Sequence, residues 1–150
     1  MPEQETIRRA RRDAREGKAP STQAGEFVRE EIEHVREGRH GARSAKQAIA
    51  IGLSKARRAG VKLGPPKKGQ ASKRTRQQAA RDTAKGAGAK RKVSRRRSTA
   101  AEQALKREGH SAASPRALAK QATASAHRRS AAERSSAAKK AARTRARRKR

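Results

Sequence analysis

The side chains of this chain that could do chemistry are overwhelmingly cations. Lys73-Arg74-Thr75-Arg76, Lys90-Arg91-Lys92, Arg95-Arg96-Arg97 and the run from Arg143 to Arg150 are dense clusters of ammonium and guanidinium groups. In the last cluster Arg143, Arg145, Arg147, Arg148, Lys149 and Arg150 are the candidate contacts, and Lys46, Lys55, Arg57 and Arg58 form a further group upstream. The chemistry available to them is charge neutralisation. Each duplex phosphate they cover releases condensed counterion, lowering log affinity against log salt with a slope of about −0.9 per contact. The planar arginine fork also suits phosphate and a narrow minor groove.

Parts for catalysis or metal binding are sparse. His34, His40, His110 and His127 stand apart in polar sequence, and none has an i,i+4 histidine partner with a nearby carboxylate. There are two aspartates, Asp13 and Asp82, and no cysteine, hence neither thiol chemistry nor a disulfide framework. Gly86-Ala87-Gly88-Ala89-Lys90 has a superficial likeness to a phosphate loop but lacks the Walker spacing and a preceding strand. The chain therefore reads as a non-enzyme without cofactor or metal. Phe27 is its one aromatic residue, so no platform for stacking bases exists. Residues 23–60 provide two helices and a turn, yet Gln47 and arginines are the only base-reading side chains on the second helix. These features favour non-specific duplex binding through the backbone.

The elements that must carry these cations divide the chain in two. Val, Ile, Leu, Met and Phe number 14 among 150 residues, and 11 of them precede residue 64. Only Val93, Leu105 and Leu118 follow. Charge is split as sharply: residues 1–40 carry nine basic and nine acidic side chains, whereas residues 41–150 carry 34 and four, the whole of the +30. A segment so poor in bulky side chains cannot offset an ordering entropy of about 1–2 kcal/mol per residue by itself. The expected class is mostly α: an N-terminal helical hairpin of two or three helices over 1–63, a Pro/Gly linker at 64–69, and a low-complexity tail over 70–150. That tail is expected to be disordered or nascent helix, firming up on a polyanion. No transmembrane run or apolar signal core is present, which predicts residence in the cytoplasm, the compartment of synthesis.

Three helices are predicted, at about 3–16, 23–37 and 45–59. The first is anchored by Ile7, and its arginines either touch phosphate or pair with Glu5, Asp13 and Glu16. Pro20-Ser21-Thr22 punctuates the chain before the second, whose stripe of Phe27, Ile32 and Val35 docks on Ile49 and Leu53 of the third, the rest of it being acidic. The third opens with Ser44-Ala45-Lys46-Gln47, a capping box, and stops at Gly60. Its small-residue stripe admits close approach, and its other face offers Lys46, Lys55, Arg57 and Arg58. The core is borderline for a monomer, and self-association through the same stripes is the remedy. Within the tail, Thr99-Ala100-Ala101-Glu102 reads as a capping box, and Ser114-Pro115 as a helix start. Arg-Glu-Gly recurs at residues 15–17, 36–38 and 107–109, either as a repeated helix C-terminus or as a decayed duplication.

The run from Gln23 to Leu63 resembles a group of small uncharacterised bacterial basic proteins with a KQAIAIGLSKARRAG core, Lys46 to Gly60 here, followed by Lys/Arg/Ala-rich tails. Members are usually labelled DNA-binding and sometimes histone-like, so the resemblance implies a bacterial, DNA-associated protein. The function expected is non-sequence-specific duplex DNA binding with nucleoid compaction or bridging. Alternatives are an RNA-binding or ribosome-associated basic protein, and a protein-interaction module with a solubilising tail.

Overall fold

The computed structural model describes residues 2–87 and 94–148, which form seven helices and one 3-10 turn. The helices are α1 (Gln4–Arg15), α2 (Pro20–Arg36), α3 (Ala45–Arg58), α4 (Lys73–Ala87), α5 (Arg95–Lys106), α6 (Pro115–His127) and α7 (Ala131–Arg148), with the 3-10 turn at Ser111–Ala113 before α6. No helix among the described residues is long and apolar enough to cross a membrane.

Local chemistry sets the ends of the first three. α2 starts at Pro20, earlier than expected, because a proline in the first turn forfeits an N–H that has no partner there. Ser44 Oγ accepts from the Gln47 N–H at 3.2 Å and opens α3. Gly38 (φ +73°) and Gly60 (φ +94°) take the left-handed conformation that ends α2 and α3. Beyond them the N–H groups of Arg39 and Val61 turn back to the carbonyls of His34 and Ala56.

α2 is the centre of the packing, with α1 and α3 against it. One apolar cluster joins Ala10, Ala24, Phe27, Ala56 and Val61, flanked by Ile7, Leu53 and Leu63. A second joins Val35, Ala42, Ala48, Ala112 and Ala113, flanked by Ile32. Ile49, expected in the docking stripe, is half-buried and stands outside both clusters. Gly52 takes its place at the crossing: a Cβ there would lie 2.6 Å from Val28 Cα and 2.9 Å from the Phe27 carbonyl oxygen.

The expectation of a disordered or nascent-helical tail is corrected, because every stretch of it that the structure describes is dominated by helix. Counting bulky residues overlooked what alanine and glycine do when backbones touch. α4 lies on α3 through buried Ala79 and through Gly86, whose added Cβ would fall 2.0 Å from the Arg57 carbonyl oxygen. The Ser54 hydroxyl donates to buried Asp82 at 2.7 Å across the same contact. The segment before α6 returns to the α2–α3 turn: Gly41 N–H donates to the Leu105 carbonyl (2.9 Å), Ala42 N–H to that of Gly109 (3.0 Å) and Arg36 Nε to that of Ala113 (2.9 Å). The third Arg-Glu-Gly thus supplies an acceptor, and Gly109 lacks the positive φ of Gly17 and Gly38.

Two local expectations differ in detail. Thr99 to Glu102 lie inside α5, which starts at Arg95, and Glu102 pairs with Lys106 at 2.9 Å. Ser114-Pro115 does open α6, with Ser114 Oγ accepting from the Ala117 N–H. α7 buries none of residues 131–147. Its start is fixed by a reciprocal box in which Glu133 N–H donates to Ser130 Oγ (3.2 Å) and Ser130 N–H to Glu133 Oε2 (3.0 Å). Alanine, arginine and lysine then carry the helix on propensity.

Candidate functional site

The cations expected to hold phosphate divide into inward and outward groups. Lys55 points inward from α3, its Nζ 2.6 Å from Glu31 Oε2 and 3.3 Å from Glu30 Oε1. Arg57 is also turned inward, 7 % exposed, and donates to the carbonyls of Leu63 (3.2 Å) and Gly64 (3.3 Å), pinning the linker. Burial pulls its guanidinium below the ordinary value, with Asp82 acting in the opposite sense. The face of α3 expected to be cationic is therefore reduced to Lys46, which is exposed, and Arg58, which is exposed and loosely paired with Asp82 at 4.0 Å.

The outward group lies on α4, α5 and α7. Lys73 and Arg74 are exposed and Arg76 partly so, all in or beside the first turn of α4. Arg95, Arg96 and Arg97 are exposed in the first turn of α5. Arg143, Arg145 and Arg147 are exposed on α7, and Arg148 is its last residue. Lys90, Arg91, Lys92, Lys149 and Arg150 lie outside the described residues. Neither α4 nor α5 carries an acidic residue in its first turn. Helix N-termini favour negative charge, so cations concentrated there work against the dipole until an anion joins them. On α1 the ion-pair reading fits Arg9, which binds Glu5 (2.6 Å) and Glu26 (2.8 Å).

A second constellation was not foreseen. Glu30 and Glu31 of α2 are buried, so the acidic face expected of this helix loses two of its members. Glu31, 0 % exposed, has Lys55 Nζ 2.6 Å from one oxygen and His40 Nε2 3.3 Å from the other, yet no hydrogen-bond donor is aligned on either. His34 Nε2 lies 3.0 Å from Glu3 Oε1, which Arg39 Nη1 also approaches at 2.8 Å. These two contacts hold the Glu3 carboxyl below its usual range. The rings of His34 and His40 meet edge to face, 6.2 Å between centroids. Glu31, His34 and His40 each bring one potential ligand atom within 4.8 Å of the others.

Two signals for this constellation were present in the sequence. Glu31 sits four residues from both Phe27 and Val35, on the buried face, and Glu31-x-x-His34 puts a carboxylate and an imidazole on one side of a helix. A search confined to i,i+4 histidine pairs passes over that i,i+3 spacing. His40 joins only because the turn after Gly38 folds back, which no spacing reveals.

Residues 3–68 match a family described as a family of unknown function (DUF6496), a stretch that spans α1 to α3 and the following loop and contains every residue of the carboxylate–histidine cluster. No curated protein and no solved structure matches the chain.

Proposed function

We propose that this protein binds duplex DNA without sequence preference, through phosphate contacts from α4, α5 and α7, and that these contacts compact or bridge DNA in the bacterial nucleoid. The observation that carries the reading is the pair of helix starts, at Lys73–Arg76 and Arg95–Arg97, where exposed cations gather with no acid in the first turn. Phosphate converts both from unfavourable to favourable arrangements. α7 adds a stripe of Lys139, Arg143 and Arg147 at i,i+4 spacing, exposed along its length. The burial of Glu30 and Glu31 counts against the protein-interaction alternative, which relied on an acidic α2 surface.

Fluorescence anisotropy with a short duplex of arbitrary sequence, over a series of salt concentrations, tests this in the full chain. Arg95→Gln/Arg96→Gln/Arg97→Gln is expected to weaken binding and to reduce the salt slope by about 3, one per lost phosphate contact. An unchanged affinity and slope would remove α5 from the interface. Structured RNA competing better than duplex at every salt concentration would assign the ligand as RNA.

A further inference from the structure

Glu31, His34 and His40 bring one oxygen and two nitrogens together at the join of α2 and the α2–α3 turn, with Glu3 entering from the start of α1. The outer atoms of this group already have partners. His40 Nδ1 lies 3.1 Å from the Gly41 carbonyl oxygen, a contact that requires the proton on Nδ1. Neutral His40 therefore presents the Nε2 lone pair to Glu31 Oε1 at 3.3 Å, acceptor against acceptor. The other Glu31 oxygen faces Lys55. A histidine whose Nδ1–H is held by a backbone carbonyl, and a carboxylate steadied through its second oxygen, are the outer-sphere arrangement of metal ligands.

Charge points the same way. Buried Glu30 and Glu31 share a single cation, Lys55, so one negative charge is left over between them when both imidazoles are neutral. A buried carboxylate that must share its cation is costly, and Glu31 has no aligned hydrogen-bond donor on either oxygen. A divalent ion between Glu31 and the imidazoles would remove both the lone-pair opposition and the excess charge.

We infer that Glu31, His34 and His40 form a binding site for a borderline divalent metal ion, with Zn²⁺ the best match. Two imidazoles and carboxylate oxygen suit zinc over the hard ions, which take oxygen alone. With three protein ligands the ion would fasten α2 to its following turn and keep its fourth position for water or another small ligand.

The test uses the full, untagged chain stripped with a chelator and dialysed against ZnCl₂. One Zn²⁺ per chain by elemental analysis and a raised thermal midpoint are expected, and Co²⁺ in its place is expected to show the visible bands of a tetrahedral ion. His40→Gln and Glu31→Gln are expected to weaken Zn²⁺ binding by at least about 100-fold, more than loss of an outer-sphere partner does. Because Glu31 is buried and its variant can misfold, half-buried His34→Gln serves as the second variant, with circular dichroism confirming its helix content. Zinc retained at one equivalent by a folded His34→Gln and by His40→Gln would overturn the site, as would no stoichiometric binding to the parent chain.

Discussion

At Gly52 an added methyl group has nowhere to go, since its neighbours are the backbone atoms of Val28 and Phe27 on the facing helix. Alanine is favoured over glycine in a helix interior by about 1 kcal/mol. Steric conflict wins at this position, and Gly52→Ala should destabilise the protein by about 1–3 kcal/mol in chemical denaturation. Gly25, inside α2 with open space around it, provides the contrast: Gly25→Ala should stabilise by about 0.5–1 kcal/mol. Charge obeys the same dependence on place. Lys18 turns back to Asp13 at 2.6 Å, and the hydrogen bonds it gives Asp13 and Glu16 raise its ammonium above the ordinary 10.5. A raised lysine stabilises the fold in full below its unfolded value and loses that contribution as pH climbs through the folded one. The thermal midpoint of the parent should therefore exceed that of Lys18→Met by a constant margin from neutral pH to about 10. In stronger alkali the two should converge.

Elements are held to one another here by small residues and main-chain acceptors, more than by bulky side chains. Gly86→Ala would drive a methyl group into the Arg57 carbonyl and part α4 from α3. Amide hydrogen exchange should then show α4 losing protection while α1 to α3 keep theirs. α7 depends on something else, having no buried face. Its Ser130–Glu133 box fixes its start, and Ser130→Ala should cost that helix about 1 kcal/mol, read as faster exchange confined to α7. Of this element-level organisation, the glycine stops after α1, α2 and α3 and the Ser44 and Ser114 caps were legible, because each is set by residues within one turn. The seating of α4 on α3 was not legible, because alanine registers as a weak apolar signal unless a facing backbone is known to come close.

For the whole molecule, the +30 charge sets two responses to salt in opposite directions. Like charges at i,i+4 along Lys139, Arg143 and Arg147 oppose α7, and screening relieves them. Far-UV circular dichroism of the nucleic-acid-free chain should therefore show high helix content that rises modestly with salt, while duplex affinity falls steeply over the same range. A chain that gained its C-terminal helices only on adding DNA would instead show little helix in its second half beforehand.

The sequence by itself determined the uneven division of charge and apolar residues, the helical class, and the places where helices must start or stop, since these follow from composition and from interactions within one turn. Tertiary structure alone decided which charged groups face water. Lys55 and Arg57 share a helix with Lys46 and Arg58, yet the first two are spent on buried carboxylates and linker carbonyls. His40 reaches Glu31 only through the fold of a turn. The physical reason is that a charge takes its role from what stands across from it, and that partner is chosen by how helices cross, over distances in the chain that local pattern does not span.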